Sequence, residues 1–242
     1  MKCNGIFATY IVLSSDCKIK MGVKIMKLLL IEGQPGSGKS TFASKISNDF
    51  EKRKVEFILN DEYIQDTEIF GDFWEDNSMT SAQAIQLFLS AWRKYISKNL
   101  NTNSIHIFDN SIMNHVQYLM ALTTSEEEIM DSFKNISDMF REIDTQMIFL
   151  DGNSEVVIKR VDEIRKNGWG ERVASLFETY PYQKIRNRTG KQGLIEFFSD
   201  AQNLKRKVLK YWEYPVLKID ITENNWGEYE KIIFSFIKES YL

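Results

Sequence analysis

A glycine-rich stretch with one lysine carries the clearest chemistry in the chain. Residues 33–41 read Gly-Gln-Pro-Gly-Ser-Gly-Lys-Ser-Thr, four apolar residues at 28–31 precede them, and a helical pattern follows. Glycines let the backbone approach a ligand with its N–H groups pointing inward, and a helix start adds the positive end of its dipole. A buried strand, a glycine loop and a helix in this order are typical of a phosphate-binding loop.

The side chains of this loop suit the groups of a nucleoside triphosphate. Lys39 would bring a cation to the β- and γ-phosphates, and the Ser40 hydroxyl suits Mg²⁺, a hard ion that prefers oxygen ligands. We therefore expect ATP and Mg²⁺ as cofactors. The residues predicted to bind the nucleotide are Gly33, Gln34, Gly36, Ser37, Gly38, Lys39, Ser40 and Thr41.

Carboxylates follow two later strands of the predicted sheet. Asp61 and Glu62 come directly after the predicted strand 55–59, and ligands bind at the carboxyl ends of parallel strands. Either of these two acids is therefore a candidate catalytic base that orients or deprotonates an acceptor hydroxyl. Asp109 follows the predicted strand 105–108 and is expected to bind the magnesium ion beside the phosphate loop. The alternative for Asp109 is an acid that only caps a turn.

Polar and aromatic side chains close to these acids are candidates for contacting the acceptor. Residues 67–77 are an aromatic stretch among acids, which predicts either a loop packed over the core or the wall of an acceptor pocket. No carboxylate or serine stands at nucleophile spacing from His115, so a substrate contact is favoured over catalysis for this residue. The predicted substrate-binding residues are Trp74, Asn110, Asn114 and His115.

Basic residues accumulate between positions 160 and 188, interleaved with tryptophan and tyrosine. Three interpretations stay open: a lid whose arginines close on the transferring phosphate, an RNA interface of cations and stacking aromatics, and a solvated basic face. Because a phosphate-binding site needs additional positive charge for catalysis, we expect at least one of Arg165 and Arg172 to reach phosphate.

Strands alternate with helical patterns from residue 26 onward. This alternation predicts an α/β fold with a parallel sheet and right-handed crossovers. No linker rich in Pro, Gly or Ser interrupts it, so residues 26–242 are expected to form one domain with a helical lid around residues 160–190. Residues 1–25 are expected to be a peripheral extension or the product of an upstream start codon, because two methionines stand just before the first strand.

Composition limits the classes of partner. The 242 residues carry a net charge of −3, which gives no bulk electrostatic argument for nucleic acid or an anionic membrane. The two cysteines lack the spacing of a disulfide scaffold or a zinc site, so a reducing cytoplasm is expected. The apolar run at 5–13 is too short to span a bilayer and lacks a signal-peptide cleavage pattern. We expect a small-molecule acceptor as the partner, and a homodimer stays open.

Three motifs together resemble a known superfamily. They are Leu30 to Thr41 around the phosphate loop, Ile107-Phe108-Asp109-Asn110, and Gly168-Trp169-Gly170-Glu171-Arg172, and the likeness extends from about Met26 onward. The chain resembles the nucleoside and nucleotide kinases, and most closely a bacterial group of thymidylate-kinase-like P-loop proteins. The resemblance implies a P-loop three-layer fold with a five-stranded sheet in the order 2-3-1-4-5, ATP with Mg²⁺ as donor, and an acceptor pocket under a lid. Asn110 stands where those kinases have an arginine after the aspartate.

The combined motifs predict ATP-dependent phosphoryl transfer to a small-molecule hydroxyl or phosphate. Phosphoryl transfer requires mainly positioning and charge from the protein, which Lys39, Asp61 or Glu62, and the lid arginines would supply. One alternative is a nucleotide-binding ATPase or switch that has no acceptor. Another is a kinase of RNA ends that uses the basic segment to hold RNA. No guanine-reading Asn-Lys-x-Asp occurs in the chain.

Overall fold

The structure is a computed structural model that describes residues 25–61, 79–165 and 168–241. The predicted extension up to residue 24, the candidate base Glu62 and the candidate pocket residue Trp74 lie outside the described residues. None of the helices in the described part of the chain combines the length and the hydropathy that a bilayer-spanning segment needs.

The sheet has five parallel strands in the order β2-β3-β1-β4-β5, as predicted. The strands are β1 (Lys27–Gly33), β2 (Phe57–Asn60), β3 (Ile105–Asp109), β4 (Asp144–Asp151) and β5 (Val216–Asp220). β1 lies at the centre and pairs with β3 on one side and with β4 on the other. The carboxyl ends of these three strands therefore lie side by side, and the loop after β1 leaves from the middle of that edge.

Both faces of the sheet are covered, which explains the unbroken apolar run of β1. Leu28 and Leu30 belong to the larger of two buried clusters, on one face. Leu29 and Ile31 belong to the second cluster, on the opposite face. Alternate side chains of a strand point to opposite faces, so a central strand between two helix layers must be apolar at every position. Glu32 breaks this rule, although it is fully buried.

Helices connect the strands and form both outer layers. They are α1 (Lys39–Arg53), α2 (Ser81–Asn99), α3 (Ile112–Ala121), α4 (Glu126–Met139), α5 (Ser154–Arg165), α6 (Trp169–Phe177), α7 (Pro181–Ile185), α8 (Gly190–Val208) and α9 (Trp226–Tyr241). A capping box begins α4: the Ser125 side chain accepts from the Glu128 backbone N–H, and the Glu128 side chain accepts from the Ser125 backbone N–H. Thr80 and Gln83 form the same arrangement at α2.

The structure differs from the sequence prediction at two connections. Residues 112–121 form helix α3, where only the polar side chains Asn114 and His115 were singled out; eight of its ten residues are buried, and its apolar residues recur at helical spacing. β4 begins at Asp144, three residues before the apolar run 147–150. Thr145 and Gln146 still pair with β1, opposite Leu28 and Leu29, so backbone pairing extends the strand beyond its apolar part.

Candidate active site

The loop after β1 has the backbone geometry that its glycines predict. Gly36 and Gly38 adopt positive φ angles of 78° and 90°, a conformation that other residues rarely take. A Cβ atom on Gly36 would lie 1.7 Å from Cγ2 of Val161, a residue of α5. The loop is therefore pressed against α5 at this point, and side chains other than hydrogen do not fit there.

Lys39 is a buried cation at the first position of α1. Only 6% of the residue is exposed, and its Nζ donates to the backbone carbonyl of Gln34 at 3.2 Å, across the loop. Among the described residues no carboxylate lies within ion-pair distance of this ammonium group. Because a buried charge is costly without a counter-charge, the site is suited to an anion that the protein itself does not supply.

Other polar groups of the loop are buried without a hydrogen-bond partner in the described structure. The Gln34 amide donates through Nε2 to the carbonyl of Gly152, at 3.2 Å, but its Oε1 accepts nothing there. Oγ of Ser37 is also buried and unpartnered within those same residues. Ser40 and Thr41, in contrast, are exposed at the start of α1. Buried polar atoms are normally satisfied, so these two orphans indicate a place for a polar ligand.

The turn after β3 places Asp109 at the same edge of the sheet. Asp109 is 1% exposed and pairs in register with Ile31, two residues before the loop begins. Asn110 has a left-handed backbone with φ 61°, which asparagine tolerates better than most residues. That conformation supplies a local reason for asparagine at this position. The predicted substrate contact of Asn110 stays a prediction.

Glu32 is a site residue that the sequence reasoning missed. Its carboxylate lies under the turn after β3 and accepts from the backbone N–H groups of Ser111, Ile112 and Met113 at 2.8–3.3 Å. It also accepts the Ser111 hydroxyl at 2.8 Å. Burial raises the pKa of Glu32, and the Ser111 hydrogen bonds and the charge of Lys205 act against that rise. The available signal was an acid that directly follows four consecutive apolar residues of a buried strand.

Asp61 lies beside this cluster, one strand further out. The preceding residue, Asn60, pairs with Phe108, so the tips of β2 and β3 are adjacent, at the usual strand spacing of about 4.8 Å. Asn60 is buried and donates to the Tyr95 hydroxyl at 3.1 Å and to the Ile107 carbonyl at 3.2 Å. These bonds fix the backbone that leads into Asp61, which is partly exposed.

Comparisons with known proteins agree with this geometry. A family model described as "Chromatin associated protein KTI12" matches residues 26–119, from β1 into α3. Thymidylate kinase from Candida albicans matches at a TM-score of 0.54 and 18% identity, over 89% of this chain and 92% of that chain. The chain has the fold of a P-loop nucleotide kinase. No protein in the curated sequence collection matches it.

Within this kinase fold, the basic segment 160–190 forms helices α5 to α7. Arg165 lies four residues after Val161 on α5, so it extends the helix face that contacts the loop. Its guanidinium stacks on the Trp169 ring at 5.3 Å and is exposed. Arg172 is exposed on α6. Arg165 therefore belongs to the helix that contacts the loop, whereas Arg172 lies on α6, whose Gly170 N–H donates to Asp162 of α5. The predicted contact of either arginine with phosphate stays a prediction.

Arg188, at the end of this segment, and Lys191, just beyond it on α8, already have protein partners. Arg188 contacts Glu196 at 2.7 Å and Asp200 at 2.5 Å. Lys191 joins Asp162 and Glu171, at 2.6 and 2.7 Å. These pairs neutralise part of the charge that the sequence indicated, and they tie the end of α5 to α6 and α8. They favour a lid with internal ion pairs over a continuous basic surface for RNA.

Trp226 packs against the loop at Gly38, and Arg160 lies over the tryptophan ring. Neither residue was predicted to contact the loop. Arg160 donates to the carbonyls of Ile221 and Thr222 at 3.0–3.3 Å, and its guanidinium lies 5.5 Å from the centre of the Trp226 ring. A Cβ atom on Gly38 would lie 3.0 Å from the same tryptophan. The loop after β5 and the start of α9 are therefore held directly against the start of α1.

His115 lies in the core of the kinase fold. The residue is 1% exposed, its ring stacks on Phe88 with 3.9 Å between centroids and 8° between planes, and Nε2 lies 3.3 Å from the Ser132 hydroxyl. Burial lowers the pKa of His115 to about 3. The structure thus gives the ring a packing role, whereas Asn114, next to it on α3, is partly exposed. Substrate contacts of either residue remain predictions.

Asp151 organises the tip of β4. It is 5% exposed and receives Arg206 through two bonds of 2.8 Å, Lys218 at 3.1 Å and the Gln202 amide at 3.1 Å. Burial by itself would raise the pKa of Asp151, but the hydrogen bonds and charges of Arg206 and Lys218 outweigh it, so the pKa is lowered. The next residue, Gly152, accepts the Gln34 amide, so this cluster supports the loop from the β4 side.

The donor set of the site fits magnesium bound together with a nucleotide. Within the described ranges no three His, Cys, Asp or Glu residues come together as a metal site. Mg²⁺ typically takes one or two protein oxygens and completes its shell with phosphate and water. Ser40, at the exposed start of α1, and Asp109, on the neighbouring strand tip, supply that kind of set.

Proposed function

We propose that the protein transfers a phosphoryl group from ATP to a hydroxyl or phosphate of a small molecule. The observation that carries the proposal is Lys39, a buried ammonium at the start of α1 whose contact in the described structure is a carbonyl and not a carboxylate. A triphosphate supplies the missing negative charge. The kinase fold and the two orphaned polar atoms of the loop support the same conclusion.

The donor half of the proposed reaction rests on the loop and its neighbours. The backbone N–H groups of Gly36, Gly38 and Lys39, at the start of α1, bind the phosphates, and the Lys39 side chain offsets charge on the transferring group. Ser40 and Asp109 would hold Mg²⁺, which when bound neutralises phosphate oxygens. Arg165, from the helix that contacts the loop, or Arg172, from the next helix, adds the positive charge that the transition state requires.

The acceptor half rests on the tip of β2. Asp61 is partly exposed one strand away from Asp109, at the edge where acceptors bind in sheets of this type. We propose that Asp61, with Glu62 as the rival, orients the acceptor hydroxyl and receives its proton. The acceptor class stays as wide as the sequence left it: a nucleoside, a nucleotide, or another small molecule with a hydroxyl or phosphate.

The test is ATP turnover in the presence of Mg²⁺ and a pooled library of metabolites. For the wild-type protein we expect acceptor-stimulated ADP release and transfer of labelled phosphate to a library member. Lys39→Ala should abolish both, whereas Lys52→Ala, which removes an exposed lysine from the same helix, should change neither. Phosphate transfer that survives in Lys39→Ala would contradict the proposal.

The same assay separates the kinase from the alternative of a nucleotide switch. A switch would release ADP slowly and at one rate with or without acceptors. An RNA-end kinase would instead transfer phosphate to RNA with binding that weakens steeply with salt; the ion pairs of Arg188 and Lys191 speak against it. A cytoplasmic location and a homodimeric state are further proposals, which fractionation and light scattering would test.

A further inference from the structure

The carboxylate of Glu32 connects the central strand to the turn that carries Asp109. In chain order the turn consists of Asp109 at the end of β3, Asn110 and Ser111, and α3 starts at Ile112. The Asn110 N–H donates to the carbonyl of Ile31 at 2.9 Å. Glu32, the next residue of β1, accepts hydrogen bonds from the N–H groups of the three residues that follow Asn110. Two adjacent residues of β1 therefore hold the whole turn.

The turn needs such an anchor because its backbone is unusual. Asn110 has φ 61°, and Ser111 has φ −132° and ψ −80°, outside the common regions. Residues held in such conformations persist only when their surroundings determine them. Among the described residues, the Ser111 side chain accepts no hydrogen bond from the backbone N–H groups of α3, whereas an N-cap serine normally does. Its hydroxyl donates to Glu32 instead. The carboxylate replaces the N-cap, since it accepts from the first free N–H groups of the helix.

A second buried charge completes the arrangement. Lys205 on α8 is 1% exposed, its Nζ donates to the Gln117 side chain of α3 at 3.1 Å, and its charge acts on Glu32. The buried cluster therefore joins β1, α3 and α8. None of its groups is open to solvent, so it is not itself a binding pocket, and its effect must pass through the turn.

We propose that Glu32 is a positioning residue for the magnesium side of the site: it holds the turn after β3 in the one backbone arrangement that sets Asp109 beside the phosphate loop. This inference rests on the proposed function, because it assigns Asp109 to nucleotide-bound Mg²⁺. It predicts that Glu32 governs how much Mg²⁺ strengthens nucleotide binding, and not how tightly the loop binds nucleotide alone. Partners behind a metal ligand commonly change metal affinity by about 10- to 100-fold.

The experiment measures binding of a fluorescent ATP analogue with excess Mg²⁺ and, separately, with EDTA. In Glu32→Gln we expect the strengthening by Mg²⁺ to fall about tenfold, while affinity in EDTA stays within about twofold of wild type, because the loop is untouched. Ser111→Ala removes one of the bonds and should lower the strengthening by about threefold. Ser111→Thr keeps the hydroxyl, and Glu127→Gln changes an exposed glutamate of α4; both should behave as wild type.

Each outcome decides the inference. A folded Glu32→Gln protein that retains the full effect of Mg²⁺, or that loses affinity equally in Mg²⁺ and EDTA, overturns it. If Glu32→Gln does not fold, as judged by circular dichroism, Ser111→Ala decides: an undiminished Mg²⁺ effect in that variant overturns the inference. A wild-type protein that binds no nucleotide contradicts the proposed function itself. This failure can be told apart from failure of the inference, because it is seen in the wild-type protein before any variant is compared.

Discussion

The phosphate loop and the basic region from residue 160 to residue 191 both contain cations, but the cations have opposite environments in the two regions. Lys39 is buried, and in the described structure its ammonium contacts a carbonyl. Arg188 and Lys191 are more exposed and each contacts two carboxylates. Exposed pairs of that kind contribute little and need no ligand, whereas a buried cation without a counter-charge is costly. Burial without a counter-charge, rather than the number of cations, therefore indicates where an anionic ligand would fit.

The largest effect should come from removing the buried cation. Lys39→Met should lower phosphoryl transfer by about 1000-fold, yet its melting temperature in the absence of nucleotide should equal or exceed that of wild type, because an uncompensated buried charge is lost. Steady-state kinetics and thermal unfolding measure the two quantities. If Lys39→Met lost stability together with activity, the role of Lys39 would be to stabilise the fold and not to bind a ligand.

The next effect distinguishes lid arginines from lid ion pairs. At least one of Arg165→Ala and Arg172→Ala should lower the turnover number by about 100-fold. Lys191→Ala removes a paired lysine at the same lid and should change turnover by less than about threefold. If Lys191→Ala lowered turnover the most of the three variants, the ion pairs and not the charge of Arg165 or Arg172 would be what activity depends on in this region.

A third prediction concerns stability at the tip of β4. Asp151→Asn leaves Arg206 and Lys218 without their carboxylate and should lower the free energy of unfolding by about 2 kcal/mol at neutral pH. Because the folded pKa of Asp151 is lowered, its contribution is present above the ordinary value of 3.8 and disappears as the pH falls through the folded pKa. In denaturant unfolding, the difference between the two proteins should therefore be constant from pH 7 down to about 3.8 and should shrink as the pH falls further. A difference that stays constant below that pH would exclude the ionic explanation.

The smallest effect is expected at His115. Burial lowers its pKa to about 3, from 6.5, so below pH 6.5 only the unfolded chain takes up this proton and stability falls as the pH drops. The chain has two histidines, and the pKa of His106 is lowered to about 4. Neither ring should titrate near pH 6.5 in a proton NMR experiment. His115→Phe should leave turnover within about twofold; a larger loss would favour the substrate contact that the sequence indicated.

The sequence predicted the parts of this molecule that local patterns determine. The alternation of strands and helices and the glycine loop before a helix follow from periodicity and from residue types at fixed spacing, and the structure confirms them. The loop is recognisable because its glycines serve a backbone conformation that few other residues adopt, as Gly36 and Gly38 do here.

The missed parts depend on contacts between residues far apart in the chain. Glu32 is bonded to residues 79 to 81 positions later, and Arg160 to carbonyls about 61 positions later. Helix α3 is an exception, because its apolar residues at 112, 113, 116, 119 and 120 recur at helical spacing and its existence could have been predicted. A single sequence shows which side chains carry charge, but only the fold shows which of them meet.

The position of Trp226 has a consequence for how the protein is made. Its ring lies 6.2 Å from that of Phe42 in α1, and Tyr241, further along α9, donates to the carbonyl of Leu28 in β1 at 2.8 Å. The nucleotide loop is among the first parts of the domain to leave the ribosome, yet its wall is synthesised almost 190 positions later. A nascent chain that ends before α9 thus exposes an unfinished loop, and its ability to hold nucleotide must arise late, after most of the sheet has formed.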